Sequence, residues 1–523
     1  MKVIQGYSER AEYQAVTTSH PTAGQIVNAE DFLGRRPAAG KTPRHLFVGR
    51  QEGCEEYLSR KSAARASLLF TSEIEHQQPD AQTSRNVTAF NSPRLPADFP
   101  ALSEHDSAPF DCTIACGPSH LLTAAGNTCA LFDKAGALHW WCDLNEWFSS
   151  AADTVSIYHT RVMYDQFSGH WFIAACARAL KGRRSWLLLS VSQTRSPLGI
   201  WMNQALEVNP QGNLTAEGLG LGVDYDAIYL TANLFDAKAK FQTALVRILP
   251  KSSFLSGGEP EMRDFTNLKN PDGTLAFSLQ PAHTFGTPGV EYLLNATSDG
   301  RSLTQWNLTQ PLSEKPLLTQ RTVPTVHYQL APDAVQPADA SQSIQEIDTG
   351  DTRLTGLIFR HGHLWTAHTV AAHWEGETNQ AAIQWFQINA GTRLVAQQRI
   401  YGRPGMDYFC PAMMVDGQSN LIMVFNRSSP EESVSLRFTG RLSTDLPNLL
   451  HSSALLHEGV APGVTTWGGY NGAAVDTNDM KVWVVGQYGA GSQECSTWIG
   501  ETSYITSRAE GGTISARRSA PAR

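Results

Sequence analysis

Six residues of the 523-residue chain are of types that could act together on a ligand: Arg161, Asp224, Asp226, Arg353, Trp467 and Tyr470. An arginine offers a planar fork of N–H donors that matches a carboxylate, and an aromatic ring can cover the apolar face of a sugar. Carboxylates add hydrogen-bond acceptors and, where paired, acid–base chemistry. Hydrolysis of a sugar bond needs two carboxyl groups facing each other across it, about 5 to 10 Å apart. Asp224, Asp226, Asp348, Asp351, Asp407 and Asp476 are numerous enough, but position along the chain assigns none of them a partner. No GxSxG elbow and no HExxH helix occurs, which turns the reading away from a serine hydrolase of that type and from a zincin.

His361, His363, His368 and His373 form the densest histidine cluster. Strand alternation would put His361 and His363 on one side, the spacing a metal site in a sheet can use. Gly362 between them reads instead as a hairpin tip, and no acidic ligand is evident nearby, so no metal is expected. Cys112 and Cys116 form a CxxxC without a second pair, which is weak evidence for zinc. Most of the eight cysteines are expected to be buried thiols in strands. No cofactor is expected.

These side chains must be positioned by β-structure. From Cys112 onward the chain consists of short β-branched and aromatic runs bounded by Gly, Asp, Asn or Pro, without the 3.6-residue period of long helices. Seven units can be marked. They begin near Cys112, Arg161, Leu219, Pro281, Arg353, Met406 and Thr465, and the last closes near Ile499. They average about 55 residues, against about 40 to 50 for a four-stranded propeller blade, so long loops are implied. A small twisted sheet cannot bury both faces alone, whereas sheets stacked radially bury them against each other. Trp171, Trp186, Trp365, Trp385 and Trp483 fall inside strands, where they can fill the gaps between sheets. The expected fold is therefore all-β, a seven-bladed β-propeller, with six or eight blades or a β-sandwich pair as alternatives.

Residues 1–105 are expected to form a mostly irregular, partly ordered extension. It holds one short helix near Glu55–Leu69 and a proline-bearing linker over Pro93–Ser103, although ring closure could borrow a strand from it. Residues 106–505 then form the propeller, and 506–523 a disordered tail. With 49 acidic against 41 basic residues the net charge is -8, which gives no field to draw nucleic acid. No apolar run approaches the roughly 20 residues of a membrane span. The first residues lack a secretory apolar core, so a cytoplasmic location is expected as the chain is written, with export by another route or after processing as the alternative.

Several segments resemble those of bacterial seven-bladed β-propeller proteins that are remotely similar to sialidase and BNR-repeat propellers. TIACGPSHLLTAAGNTCALFDKAG looks like their opening, RVMYDQFSGHWF like a strand–turn–strand segment, and SQTRSPLGIW like a blade closure. LGLGVDYDAIYLTANLF and WGGYNGAAVDTNDMKVW are similar to two more, in the expected order over residues 110–500. The sialidase Asp-box is missed narrowly, because Thr297-Ser298-Asp299-Gly300 lacks the residue between Asp and Gly. In Trp467-Gly468-Gly469-Tyr470 a glycine stands where relatives often carry Asp. The resemblance implies a fold more than an activity. Three functions follow as expectations: a non-catalytic recognition protein that binds a glycan or protein partner on one propeller face, a glycan-directed hydrolase or lyase, and a structural scaffold. Inter-blade packing and turn hydrogen bonds are the plainer roles for the same six residues.

Overall fold

The computed structural model describes residues 12–18, 24–35, 50–65, 92–105, 111–152, 155–181, 184–209, 213–256, 261–338, 346–374, 378–461, 467–491 and 494–504. The expected tail, 506–523, lies outside them. Among the described residues most strands fall into seven antiparallel units, largely meanders of consecutive strands, and Ala334–Val335 pairs with Glu346–Ile347 as a separate two-stranded sheet. The innermost strands of the seven units are Cys112–Cys116, Val155–Tyr164, Thr215–Val223, Gln280–Pro281, Ile358–Arg360, Asp407–Val415 and Gly472–Val475. Neighbours pack against each other around an axis, except that Gln280–Pro281 is linked to Ile358–Arg360 through His283–Thr284, and Gly472–Val475 packs back against Cys112–Cys116. The chain is an all-β propeller.

Between units four and five the ring is closed by hydrogen bonding. His283–Thr284 pairs in parallel with Thr215–Val223 on one side and with Ile358–Arg360 on the other, joining units three and five into one ten-stranded sheet. The alternating glycines of TAEGLGLGV make this approach feasible. A Cβ on Gly220 would lie 2.7 Å from Pro281 Cδ, and one on Gly222 would lie 2.6 Å from the Ala282 carbonyl.

Large aromatics fill the spaces between units. Trp140, Trp147, Trp171, Trp201, Trp306, Trp385 and Trp483 are fully buried, and Trp140 stacks on Trp147 at 5.3 Å. Trp365 is also buried, and Trp186 partly so. The seven described cysteines from Cys112 to Cys495 are buried.

The extension is built into the ring. Glu12–Gln14 pairs with the outer strand of unit four, Val16–Thr18 with that of unit three, and Gln25–Asn28 with that of unit two. Leu33 then bridges to Trp140 of unit one, so the segment runs backward around the rim. Its helix spans Cys54–Ala64. Arg94–His105, where the sequence suggests a linker, is instead the outer strand of unit seven, paired with Glu494–Ser503. Pro96 and Pro100 are compatible with this because the strand is an edge, where a missing N–H costs no ladder bond.

Leu102 is buried in that strand, and its N–H donates to Thr497 Oγ1 at 2.8 Å. Leu102→Ala is expected to cost about 2 to 5 kcal/mol, seen as a lowered melting temperature. An unchanged melting temperature would show that this strand does not hold the ring closed.

Candidate functional site

Three inner strands are bulged, and buried polar groups gather at the bulges. His159 and Thr160 together oppose Ala175, Gly218 and Leu219 oppose Ala232, and Cys410 and Pro411 oppose Phe425. The first bulge residue has positive φ in each case: 50° at His159, 67° at Gly218 and 52° at Cys410. Glycine adopts this conformation freely, whereas a histidine or cysteine there is strained by about 1 to 3 kcal/mol. Bulges re-aim neighbouring side chains, and strain of this kind gathers at functional sites.

His159 is buried between two carboxylates. Its Nδ1 lies 2.6 Å from Asp111 Oδ2 and its Nε2 lies 2.9 Å from Glu217 Oε2. Burial alone would lower the imidazole pKa, but the hydrogen bonds to Asp111 and Glu217 outweigh it and raise the value to about 9. For Asp111, burial pushes the pKa up, while His159 and Arg161 bring it below the usual carboxylate range. Asp111 also accepts from the Gly469 N–H at 2.8 Å. The network therefore ties units one, two and three to the entry of unit seven.

Two residues further along the same strand, the Arg161 guanidinium lies 4.0 Å from the centre of the Tyr470 ring. Its Nη1 donates to the Thr160 carbonyl at 3.1 Å, whereas Nη2 is buried with no partner among the described residues. Arg161 and Tyr470 line an axial cavity of about 430 Å3 bounded by the inner strands. Ile114, Val162, Leu221, Ile358 and Met414 give it apolar walls. Its wall also includes Gln280, whose Nε2 is buried without a partner, and Arg360, whose Nε is in the same state. Arg360 is otherwise bound to Asp479 and to the Val415 carbonyl, and stacks 4.5 Å over Phe285. His283, 3.0 Å from Gln166 Oε1, is pushed by burial down to about 4 and stands neutral beside it. The orphaned wall groups Arg161 Nη2, Gln280 Nε2 and Arg360 Nε are N–H donors, and the fourth such wall group, Tyr470 Oη, is a hydroxyl.

The structure brings together only part of the expected set. Arg161 and Tyr470 meet directly. Arg353 approaches the same region, with Nη1 3.6 Å from where a Gly218 Cβ would be, but its fork is filled by Asp351 through Nε and Nη2 at 2.6 Å each. Asp224 lies at the far end of the third inner strand. There it accepts from the Asp226 and Ala227 N–H groups and from Tyr229 Oη, so it is a turn residue, with Asp226 exposed beside it. Asp165 and Asp416 bind their own turns in the same way. Trp467 is buried, donates to Asn426 Oδ1 at 3.3 Å and serves packing rather than display. His361 lies at a hairpin tip, 2.8 Å from Ser419 Oγ, and His363 Nδ1 faces the His361 carbonyl. No group of three metal-ligating side chains forms among the described residues.

No family profile matches the chain, and no curated sequence does. Solved structures it is similar to include a protein of unknown function from Dyadobacter fermentans, at 11% identity over 79% of this chain and 99% of that one, TM-score 0.35. Another is the Trypanosoma rangeli sialidase, at 9% identity over 78% and 60%, TM-score 0.34. A third is a GH43 endo-arabinanase from Bacillus licheniformis, at 11% identity over 56% and 98%, TM-score 0.29. No residue role is carried over from them.

Asp111, His159, Glu217, Gln280 and Arg360 escape the sequence reading. The available signal was a charged or ionisable residue inside an otherwise apolar strand, as in VSIYHTRVMY and TAEGLGLGV. Because His159 is raised from an unfolded value of about 6.5, its contribution to stability is complete below pH ~6.5 and is lost as pH rises through about 9. The melting temperature of the protein should fall between about pH 7 and 10 more steeply than that of His159→Gln. Parallel profiles for the two proteins would remove His159 from the linkage.

Proposed function

We propose that the chain is a non-catalytic recognition protein, with each of its seven units a blade, and that its axial cavity receives the carboxylate-bearing end of an acidic glycan. The observation that supports this most is the set of buried, unpartnered donors on the cavity wall: Arg161 Nη2, Gln280 Nε2 and Arg360 Nε. A buried donor without an acceptor costs about 1 to 3 kcal/mol, and an acceptor-rich anion would return that energy on binding. Hydrophobic walls with a few convergent polar groups are the usual make-up of a small-molecule site, and about 430 Å3 falls within the usual size range.

The hydrolase reading finds less support. The carboxylates on the cavity wall, Asp476 and Asp479, belong to one turn on one side of it. Asp476 is engaged by Lys134 and the Trp483 indole, and Asp479 by Arg360. Asp111 and Glu217 are both committed to His159. Acid–base cleavage of a glycan needs carboxyl groups on both sides of the bond, and this wall offers them on one.

Calorimetric titration with uronic- and sialic-acid-bearing oligosaccharides, alongside neutral counterparts, tests the proposal. Saturable binding of an acidic sugar without product release is expected, with Arg161→Gln weakening it at least about tenfold. Release of a cleaved sugar, or full affinity in Arg161→Gln, would overturn it.

A further inference from the structure

The stretch Arg50 to Arg65 of the extension lies against the connection between units four and five, which is rich in acids. Tyr57 Oη donates to Asp348 Oδ1 at 2.6 Å. Lys61 is buried, with Nζ 2.9 Å from Asp333 Oδ1 and donating to Thr349 Oγ1 at 2.6 Å and to the Ala331 carbonyl at 3.0 Å. Arg65 donates to the Asp333 carbonyl, and Arg50 lies 2.7 Å from Asp348 Oδ2 with its guanidinium 4.2 Å over the Tyr57 ring. Tyr57, Lys61 and Arg65 recur every four residues, so one helix face carries all three.

The contact is held by charge and hydrogen bonds more than by apolar burial. Tyr57 and Ala64 are the buried apolar side chains described on the helix, while Leu58 points to solvent, 57% exposed. No side chain caps the helix at Gly53. Along its flank a cavity of about 600 Å3, lined by Glu56, Arg60, Asp299 and His327, separates it from unit four. A charged helix gapped on one side can be exchanged for another carrying the same charges, since electrostatic complementarity selects partners more than it seals them.

We propose that this acidic face is a docking site for a helix that presents a tyrosine and basic side chains on one face, and that residues 50–65 fill it in cis until a partner helix of the same chemistry displaces them. The site is separate from the axial cavity and stands independently of what that cavity binds.

The test uses the full chain and a fluorescein-labelled peptide with the sequence of residues 50–65. In the full-length variant Lys61→Glu, or in Lys61→Met should the first fail to fold, the cis helix loses its buried ammonium and the face is freed. The peptide should bind that folded variant at least about tenfold tighter than it binds the wild-type chain. Binding should weaken when Asp348→Asn is added and as salt rises from about 0.05 to about 0.5 M. Equal binding to wild type and variant, or equal binding by a peptide carrying Tyr57→Ala and Lys61→Ala, would overturn the proposal.

Discussion

His159, held between Asp111 and Glu217, is the interaction on which the axial architecture turns. The three side chains come from consecutive units, and each is almost fully removed from water. A buried carboxylate pair repels itself, and a buried imidazole prefers to be neutral. The proton on His159 resolves both costs at once, because each ring nitrogen then donates to a carboxylate. Removing His159 would leave two buried carboxylates without the proton they share, so the bridge favours one relative placement of units one to three over alternatives.

That bridge explains why a histidine occupies a left-handed position where unit three uses Gly218. Glycine would remove the backbone strain but also the imidazole, and with it the partner of two carboxylates. The bulge in unit two also sets where Arg161 falls, two residues on. It brings the guanidinium over Tyr470 and onto the wall of the cavity. The ionic bridge and the candidate ligand contact are thus consequences of one backbone irregularity.

The fold was legible where periodicity carried it. Strand runs, turn residues such as Asp165 and Asp416, and tryptophans within strands all gave the right class, because they report burial and local geometry. The rim path of residues 12–33 was not legible, since three- and four-residue strands added to outer edges have no period long enough to detect. Arg94–His105 was misread because its prolines suggest a linker, although its alternation of Leu95, Ala97 and Phe99 with Arg94, Pro96 and Asp98 is strand-like. At the site, Arg161 and Tyr470 could be named from residue type. Arg353 and Asp224 could be named in the same way, but that Asp351 fills the Arg353 fork and that Asp224 binds its own turn are pairings that residue type does not encode. The bulge holding His159 was equally hidden, since its left-handed residue is a histidine and not a glycine.

The two candidate surfaces have opposite chemistry, and one side chain stands between them. Asp351 holds Arg353 through two short hydrogen bonds, while Arg50 of the extension reaches it at 3.4 Å as a second, looser partner. With two cations nearby, the Asp351 carboxylate can lose Arg50 and remain paired, so departure of the helix need not disturb Arg353 or the Tyr470 phenol close to it. Asp348 is in the reverse position. The partners identified for its side chain beyond its own turn are Arg50, Tyr57 and Lys61, all from the extension. An empty docking face would therefore leave Asp348 short of the cations that hold its pKa down, and Asp333 short of Lys61. Exchange for another helix with the same basic face leaves those carboxylates compensated at the end, whereas simple opening does not, and this favours a competing partner over spontaneous release.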